Sequence, residues 1–366
     1  MSNSTWWRER VRLIQAELRQ LTIVNKTDRL WQMPVAAALS SGLPLLLGAF
    51  FGRLDYGLVS SIGGLTYLYL PSTPLQHRMV WVMACAFGMT ACYTLGMISH
   101  FLLAALTMPA LTVMAILVTM ICRLYRVGPP GSIFFIMSAA IGAYSRVDML
   151  QVPTMVGLFA MGCVLSCIIA FCYSLLALRL RAPKPVEPLP TPTFDYVVFD
   201  AIVIGLFVGL SLALAQLLQL ERPYWVPVSC LAVIQGASLR AVWNRQAQRI
   251  LGTCVGLLLS WGLLLWLPPT PWNTALTMMV LTFVIEMTVV RHYGFAAVFI
   301  TPMTILLAEA ATLGHGSVGL LIQARFADTV LGCSIGLLGG MCLHSPRFRR
   351  VVGAWLRGAI PARLRA

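Results

Sequence analysis

The sequence predicts an all-α polytopic membrane protein, with about twelve transmembrane helices as two parallel six-helix repeats, each a 3+3 inverted repeat. Three observations predict it. Hydrophobic residues make up 59% of the 366 and charged residues only 10%, with a mean hydropathy of +0.83. An ordinary soluble domain is roughly a quarter charged and could not bury so much apolar surface. The apolar residues fall in runs near the length that crosses about 30 Å of hydrocarbon, with Pro, Gly and charge between them. The basic residues sit almost entirely in alternate breaks between those runs, the asymmetry that orients helices in a bilayer.

In chain order, residues 1–30 read as an amphipathic cytoplasmic segment, with Trp6 and Trp7 at headgroup level, Arg8, Arg10 and Arg12 in water, and Leu13, Ile14, Leu18, Leu21 and Ile23 facing apolar surface. A targeting peptide fits less well, because Glu9 and Glu17 intrude and no small-residue cleavage site follows. The first membrane half, 31–181, holds candidate spans near 33–51, 57–70, 79–98, 101–122, 131–145 and 153–178. A Pro-rich stretch, 182–195, reads as a semi-rigid cytoplasmic linker. The second half, 196–343, holds spans near 197–218, 224–237, 248–267, 273–290, 294–310 and 318–342, and 344–366 is a basic cytoplasmic tail. Turn-forming clusters such as Pro71-Ser72-Thr73-Pro74 and Gly128-Pro129-Pro130-Gly131 mark the breaks. With the N-terminus inside, the inner segments hold 22 of the 26 basic residues and the outer loops only Arg53, Arg146 and Arg222; Arg325 lies within a span. That distribution predicts a bacterial inner-membrane protein with both termini cytoplasmic.

The net charge of +14 therefore reads as topology signal and not as a nucleic-acid face. The ten cysteines fall in or at the ends of apolar runs, with no CxxC pair, so neither disulfides nor zinc is expected. Neither GxSxG, HExxH nor a P-loop occurs, so no enzyme activity, no cofactor and no ATP hydrolysis are expected.

The halves resemble each other at an offset close to 168 residues: Asp55-Tyr56-Gly57 lines up with Pro223-Tyr224-Trp225, Gly88 with Gly256, and, at 170, Gly162-Cys163 with Gly332-Cys333. Within the second half, Arg249, Thr253 and Gly256 share the spacing R-x3-T-x2-G with Arg325, Thr329 and Gly332. One of those spans starts from the cytoplasm and the other from outside, the relation of inverted three-helix units. Chance recurrence of Gly is the rival explanation.

Three carboxylates read as lying inside spans: Glu286, Glu309 and Asp328. A charge at mid-bilayer costs about 2.5–3.5 kcal/mol on insertion scales, so such groups face a cavity or a partner. Arg325 and Asp328 share a helix face, as a structural ion pair or as an anion anchor with its counter-ion. Tyr224 and Trp225 open a short span interrupted by Pro227, either as interfacial anchors or as a stacking platform, and Gln235 at its far end is a candidate donor to a carboxylate. Arg249, the innermost of Arg240, Arg245 and Arg249, is a candidate attractor of anions from the cytoplasm.

Tyr224-Trp225-Val226-Pro227, Gln235-Gly236, Arg240 and Arg249-x-x-Gly252-Thr253-x-x-Gly256 resemble the membrane domain of the fusaric acid resistance family, which includes the aromatic acid exporters. Arg325-x-x-Asp328-Thr329-x-x-Gly332 is similar to that domain's last-helix pattern. The match covers about 197–342. The resemblance implies proton-driven efflux of small organic acids, sometimes with a periplasmic adaptor subunit. The longer members' cytoplasmic domains are not seen here, and Met155 and Leu158 stand where the first half would carry Arg and Asp. The resulting expectation is an exporter whose substrate is bound by Arg249, Arg325, Tyr224, Trp225 and Gln235, with Asp328, Glu286 or Glu309 carrying the proton. Its partners would be a small organic anion, the lipid bilayer and an adaptor subunit or further copies of the chain, with no nucleic acid. The alternative is a non-transporting scaffold or accessory subunit of an efflux or envelope assembly; a lipid-modifying enzyme ranks third. An open cavity at Arg325 is what the exporter predicts, and a dry Arg325–Asp328 ion pair is what the scaffold predicts.

Overall fold

A computed structural model describes residues 23–101, 104–145, 147–189, 191–268, 270–311 and 318–359, with side chains left out at 104, 105, 308–311, 318 and 359. The described residues form helices and connecting segments, with no strands. The first half contains α1 (Gln32–Phe50), α2 (Leu54–Gly64, continuing as a 3₁₀ turn Leu65–Tyr69), α3 (Leu75–His100), α4 (Ala104–Leu124), α5 (Ile133–Ala143) and α6 (Val152–Leu180). In the second half are α7 (Asp200–Leu217, entered by a π turn Asp195–Phe199), α8 (Trp225–Ile234), α9 (Leu239–Trp266), α10 (Pro271–Thr288), α11 (Tyr293–Ala311) and α12 (Val318–His344), and α13 (Pro346–Ala359) follows. Seven of these segments are long and apolar enough to cross a membrane: α1, α3, α4, α6, α7 with its π turn, α9 and α12. The shorter apolar helices include α5 and α8.

Two boundaries differ from the sequence expectation for clear reasons. α9 starts at Leu239 and not near 248, because the Ser238 hydroxyl caps it by accepting from the Ala241 amide at 3.2 Å. The polar turns that follow are helical even though they lack hydropathy. Residues 23–30 have no regular structure, so the predicted N-terminal amphipathic helix does not extend over them; residues 1–22 lie outside the described residues. This strand of chain is held by the Asn25 amide donating to the Arg291 carbonyl at 2.8 Å.

Small residues set the helix crossings. In α9, a Cβ on Gly252 or Gly256 would stand 2.6 Å from Ala297 Cβ or Thr301 Cβ of α11. In α12, Gly332 lies against the Val226 carbonyl and Ser229 of α8, and Gly336 against Cys230. Without a hydrophobic drive between helices in lipid, such close backbone approach is what gives packing its energy. Contacts advance along both helices together, so α9 runs parallel to α11 and α12 parallel to α8. In the first half, Gly88 and Gly96 of α3 meet Phe135 and Ala139 of α5, and Gly162 of α6 meets Ser60 of α2. The halves join through α1 with α10, where Gly42 faces Met279, and through α4 with α7, where Gly205 faces Ile116 and Gly209 faces Thr112.

One end of the bundle carries both ends of the described chain. There the Lys184 amide of the linker donates to the Ser72 carbonyl at 2.9 Å, and His344 meets the Gly236 carbonyl at 3.0 Å. At the opposite end, His100 contacts the Ala143 carbonyl and Gln216 donates to the Tyr144 hydroxyl at 2.5 Å.

Candidate functional site

Two buried arginines occupy the second half where α8, α9, α11 and α12 meet. Arg249 lies ten residues into α9, about 15 Å along its axis, and only 5% of it is exposed. It is therefore an interior residue and not a charge at the membrane edge. Its Nη1 donates to the Tyr293 hydroxyl at the start of α11, at 3.1 Å, and its buried Nε has no hydrogen-bond partner. Arg325, in the second turn of α12 and likewise 5% exposed, lies over the Trp225 ring at 4.5 Å from the centroid. Its Nε and Nη1 are buried without hydrogen-bond partners. Buried Cys333 of α12 packs nearby with Val233 of α8 and Val242 of α9.

Asp328 is 1% exposed and its Oδ1 is unpartnered; no ion pair within 4 Å joins it to Arg325. The dry ion pair of the scaffold expectation is thus not formed. Arg325 is 5% exposed, and two crevices, one lined by Leu263, Pro268 and Leu306 and the other by Arg29, Pro34 and Glu286, both lie away from it. A buried guanidinium whose donors are unmet costs more than one in a complete network. The arrangement is therefore closed around charge that the surrounding side chains leave unsatisfied.

The other predicted residues separate. Trp225 is 4% exposed and occupied by Arg325. Tyr224 stacks at a tilt on Trp225, 5.3 Å between centroids, and its hydroxyl accepts from Arg222 at 3.3 Å. Gln235 lies at the far end of α8, about 15 Å from Trp225, and donates to the Ser132 hydroxyl of the first half at 2.7 Å. It joins the halves and does not reach the arginines. Glu286 pairs with Arg29 at 3.3 Å, fastening α10 to the segment before α1. The Glu309 side chain lies outside the described residues, although its backbone is in α11.

Three groups did not stand out in the sequence. Tyr293, the partner of Arg249, follows a basic loop and is marked only indirectly, by the echo between Arg249 and Arg325. Asp200 is a fourth carboxylate within a predicted span; its Oδ2 accepts from Arg123 and its Oδ1 from Arg349, each at 2.8 Å. This joins α4, α7 and α13 at the end of the bundle where Arg29 and Glu286 join α10 to the α1 segment. Arg78, read as a loop charge, is buried in the first turn of α3 and donates Nε to the Thr73 carbonyl.

The four helices that hold Arg249 and Arg325, apart from the last turn of α12, fall inside one stretch with known relatives. Residues 210–339 match the model of the fusaric acid resistance protein-like family. This fusaric acid resistance protein-like stretch takes in Trp225, Arg249, Tyr293, Arg325 and Asp328. Over 168 residues the chain is 32% identical to "Uncharacterized membrane protein YvaC" of Bacillus subtilis (strain 168), covering 43% of this chain and 26% of that one. The chain thus spans about a quarter of the length of the curated relative it matches. No solved structure matches it.

Proposed function

We propose that the protein is an inner-membrane exporter of a small aromatic or otherwise apolar organic acid, coupled to protons. Its twelve spans form two parallel halves, each built of two inverted three-helix units, with both termini cytoplasmic. The observation that carries this is the pair of buried guanidiniums, Arg249 and Arg325, whose unmet donors lie among Trp225, Tyr224 and Tyr293. With Asp328 they leave one net positive charge in an apolar interior, which a carboxylate would neutralise through charge-assisted hydrogen bonds. The aromatic rings favour a ring or an apolar body on that carboxylate. Asp328 is the preferred proton carrier, since it is buried and unpaired with Arg325, whereas Glu286 is tied to Arg29. The recurrent pairing of each third helix with the second helix of the other unit supports the repeat reading. The basic residues support the orientation.

The test is efflux of a panel of radiolabelled aromatic acids from cells expressing the wild type, Arg325→Gln or Asp328→Asn at equal membrane levels. The expected result is wild-type efflux that a protonophore abolishes, falling to background in both variants. Efflux retained by Arg325→Gln sinks the acid site, and efflux indifferent to the protonophore sinks proton coupling. If no acid is exported even by the wild type, the scaffold or accessory-subunit reading replaces this one.

A further inference from the structure

Arg249 and Arg325 occupy matching places in two opposed helix pairs. Each belongs to a third helix, α9 or α12, that runs parallel to the second helix of the other unit, α11 or α8. Each reaches an aromatic residue at the N-terminal end of that second helix: Tyr293 for Arg249, Trp225 for Arg325. Seven residues on from each arginine, a glycine, Gly256 or Gly332, seals the crossing. α9 and α12 are themselves antiparallel, since Val242 lies against Gly340 while Ile250, further along α9, packs against the cluster that holds Cys333. Arg249 therefore lies in the half of α9 nearer the end of the bundle that carries the chain termini, and Arg325 in the half of α12 nearer the opposite end. Cys333, 0% exposed, lies on α12 eight residues beyond Arg325 and packs with Val233 and Val242.

The contacts that hold the arginines are weak for charges so deeply buried. Arg249 makes one hydrogen bond to a neutral hydroxyl, and Arg325 rests on a ring face. Charge-assisted bonds to a carboxylate are roughly twice as strong as neutral ones, so an anion arriving from either side can take the arginine from its aromatic partner. An ion pair to a fixed carboxylate would not yield in this way.

We infer that the Arg249–Tyr293 and Arg325–Trp225 contacts are two gates, one for each end of the bundle, and that a bound carboxylate opens them by competing for the arginine. This rests on the acid-export reading for the identity of the opener, but not for the existence of the gates. With both closed, Cys333 stays buried in its cluster with Val233 and Val242. Breaking one contact exposes it to one side only.

The experiment needs no substrate. The full chain, all ten cysteines in place, is reconstituted in vesicles of known orientation and treated with a charged, membrane-impermeant methanethiosulfonate from one side or the other. Modification of the Cys333 peptide is followed by mass spectrometry. Wild-type Cys333 should react slowly from both sides. Arg249→Gln, or the milder Tyr293→Phe, should raise its reactivity from the side of the chain termini alone, and Arg325→Gln or Trp225→Leu from the opposite side alone. For Tyr293→Phe the expected rise is about tenfold, the factor carried by a hydrogen bond worth about 1.4 kcal/mol. Unchanged reactivity in Tyr293→Phe and Trp225→Leu, or a rise from both sides at once, overturns the gates. Side-specific labelling in a protein that exports none of the acids upholds the gates while removing the proposed substrate. Export without side-specific labelling removes the gates and leaves the acid site standing.

Discussion

Replacing Asp200 by Ala takes one carboxylate from between two guanidiniums, and the structure sets how much that should cost. Asp200 is buried, and each of its oxygens accepts one bond of 2.8 Å, from Arg123 and from Arg349. Hydrogen bonds to charged groups contribute about 1.5–3 kcal/mol each, and breaking a buried pair from one side costs about 3–5 kcal/mol. The stranded arginines are not without other partners. Arg349 keeps the Leu343 carbonyl at 3.0 Å and the Phe199 ring, and Arg123 keeps the Tyr196 carbonyl at 3.4 Å and the Tyr196 ring. Their side chains are 18% and 32% exposed for Arg123 and Arg349, so water reaches both. The net loss should be about 2–4 kcal/mol for Asp200→Ala and about 1–2 kcal/mol for Arg349→Ala, since Asp200 then retains Arg123. The assay is reversible unfolding in mixed micelles at graded dodecyl sulfate, followed by circular dichroism, with proteolysis of α13 as a local readout. The double variant should cost at least about 1 kcal/mol less than the sum of the singles. Additive losses, or an Asp200→Ala cost within about 0.5 kcal/mol of zero, would refute the clamp.

Three further outcomes follow from the same reasoning. Gly332→Ala puts a methyl group into the Val226 carbonyl, and overpacking of this kind should destabilise by about 1–3 kcal/mol in the same unfolding assay, with Gly319→Ala, in open space, as the silent control. Glu286→Gln and Arg29→Ala should show a coupling of about 1 kcal/mol in a double-mutant cycle, and neither should change the pH dependence of efflux; loss of proton coupling in Glu286→Gln alone would restore Glu286 as a carrier. Gly52, at φ +65°, should cost about 1 kcal/mol on replacement by Ala, although a Cβ there meets nothing, because the strain is in the backbone.

The helices were legible because each apolar run is bounded by turn chemistry and alternate basic breaks. The errors came where a helix continued through polar residues, as in the Arg240–Arg249 part of α9, since hydropathy reports burial in lipid and not backbone conformation. Arg325, Asp328 and Trp225 could be singled out because charge and aromatic anchors are rare inside such runs. Gln235 was misplaced for a geometric reason: ten residues of helix put its side chain about 15 Å from Trp225. Tyr293 did leave a signal. If Arg325 is matched with the aromatic start of one short span, the R-x3-T-x2-G echo at Arg249 asks for an aromatic at the start of the other. Asp200 is different, since its role depends on Arg123 and Arg349, which lie far from it in sequence and on two other helices.

α8 is ten residues long and every one of them is buried. At about 15 Å it reaches only half-way across a hydrocarbon core of about 30 Å, so it cannot rest in lipid by itself. The glycine-faced helix that sheathes it, α12, begins at Val318, more than eighty residues after α8 ends. During synthesis the ribosome must therefore deliver four more helices and their turns before α8 receives its partner. Until then the insertion machinery, or α7 beside it, has to shelter a half-length helix whose carbonyls lack a finished surrounding. The same holds for α2, whose partner α6 follows after three intervening helices. Each half thus matures only when its last helix arrives, and a chain stopped before Val318 should be recognised by membrane quality control as unfinished, however apolar it is.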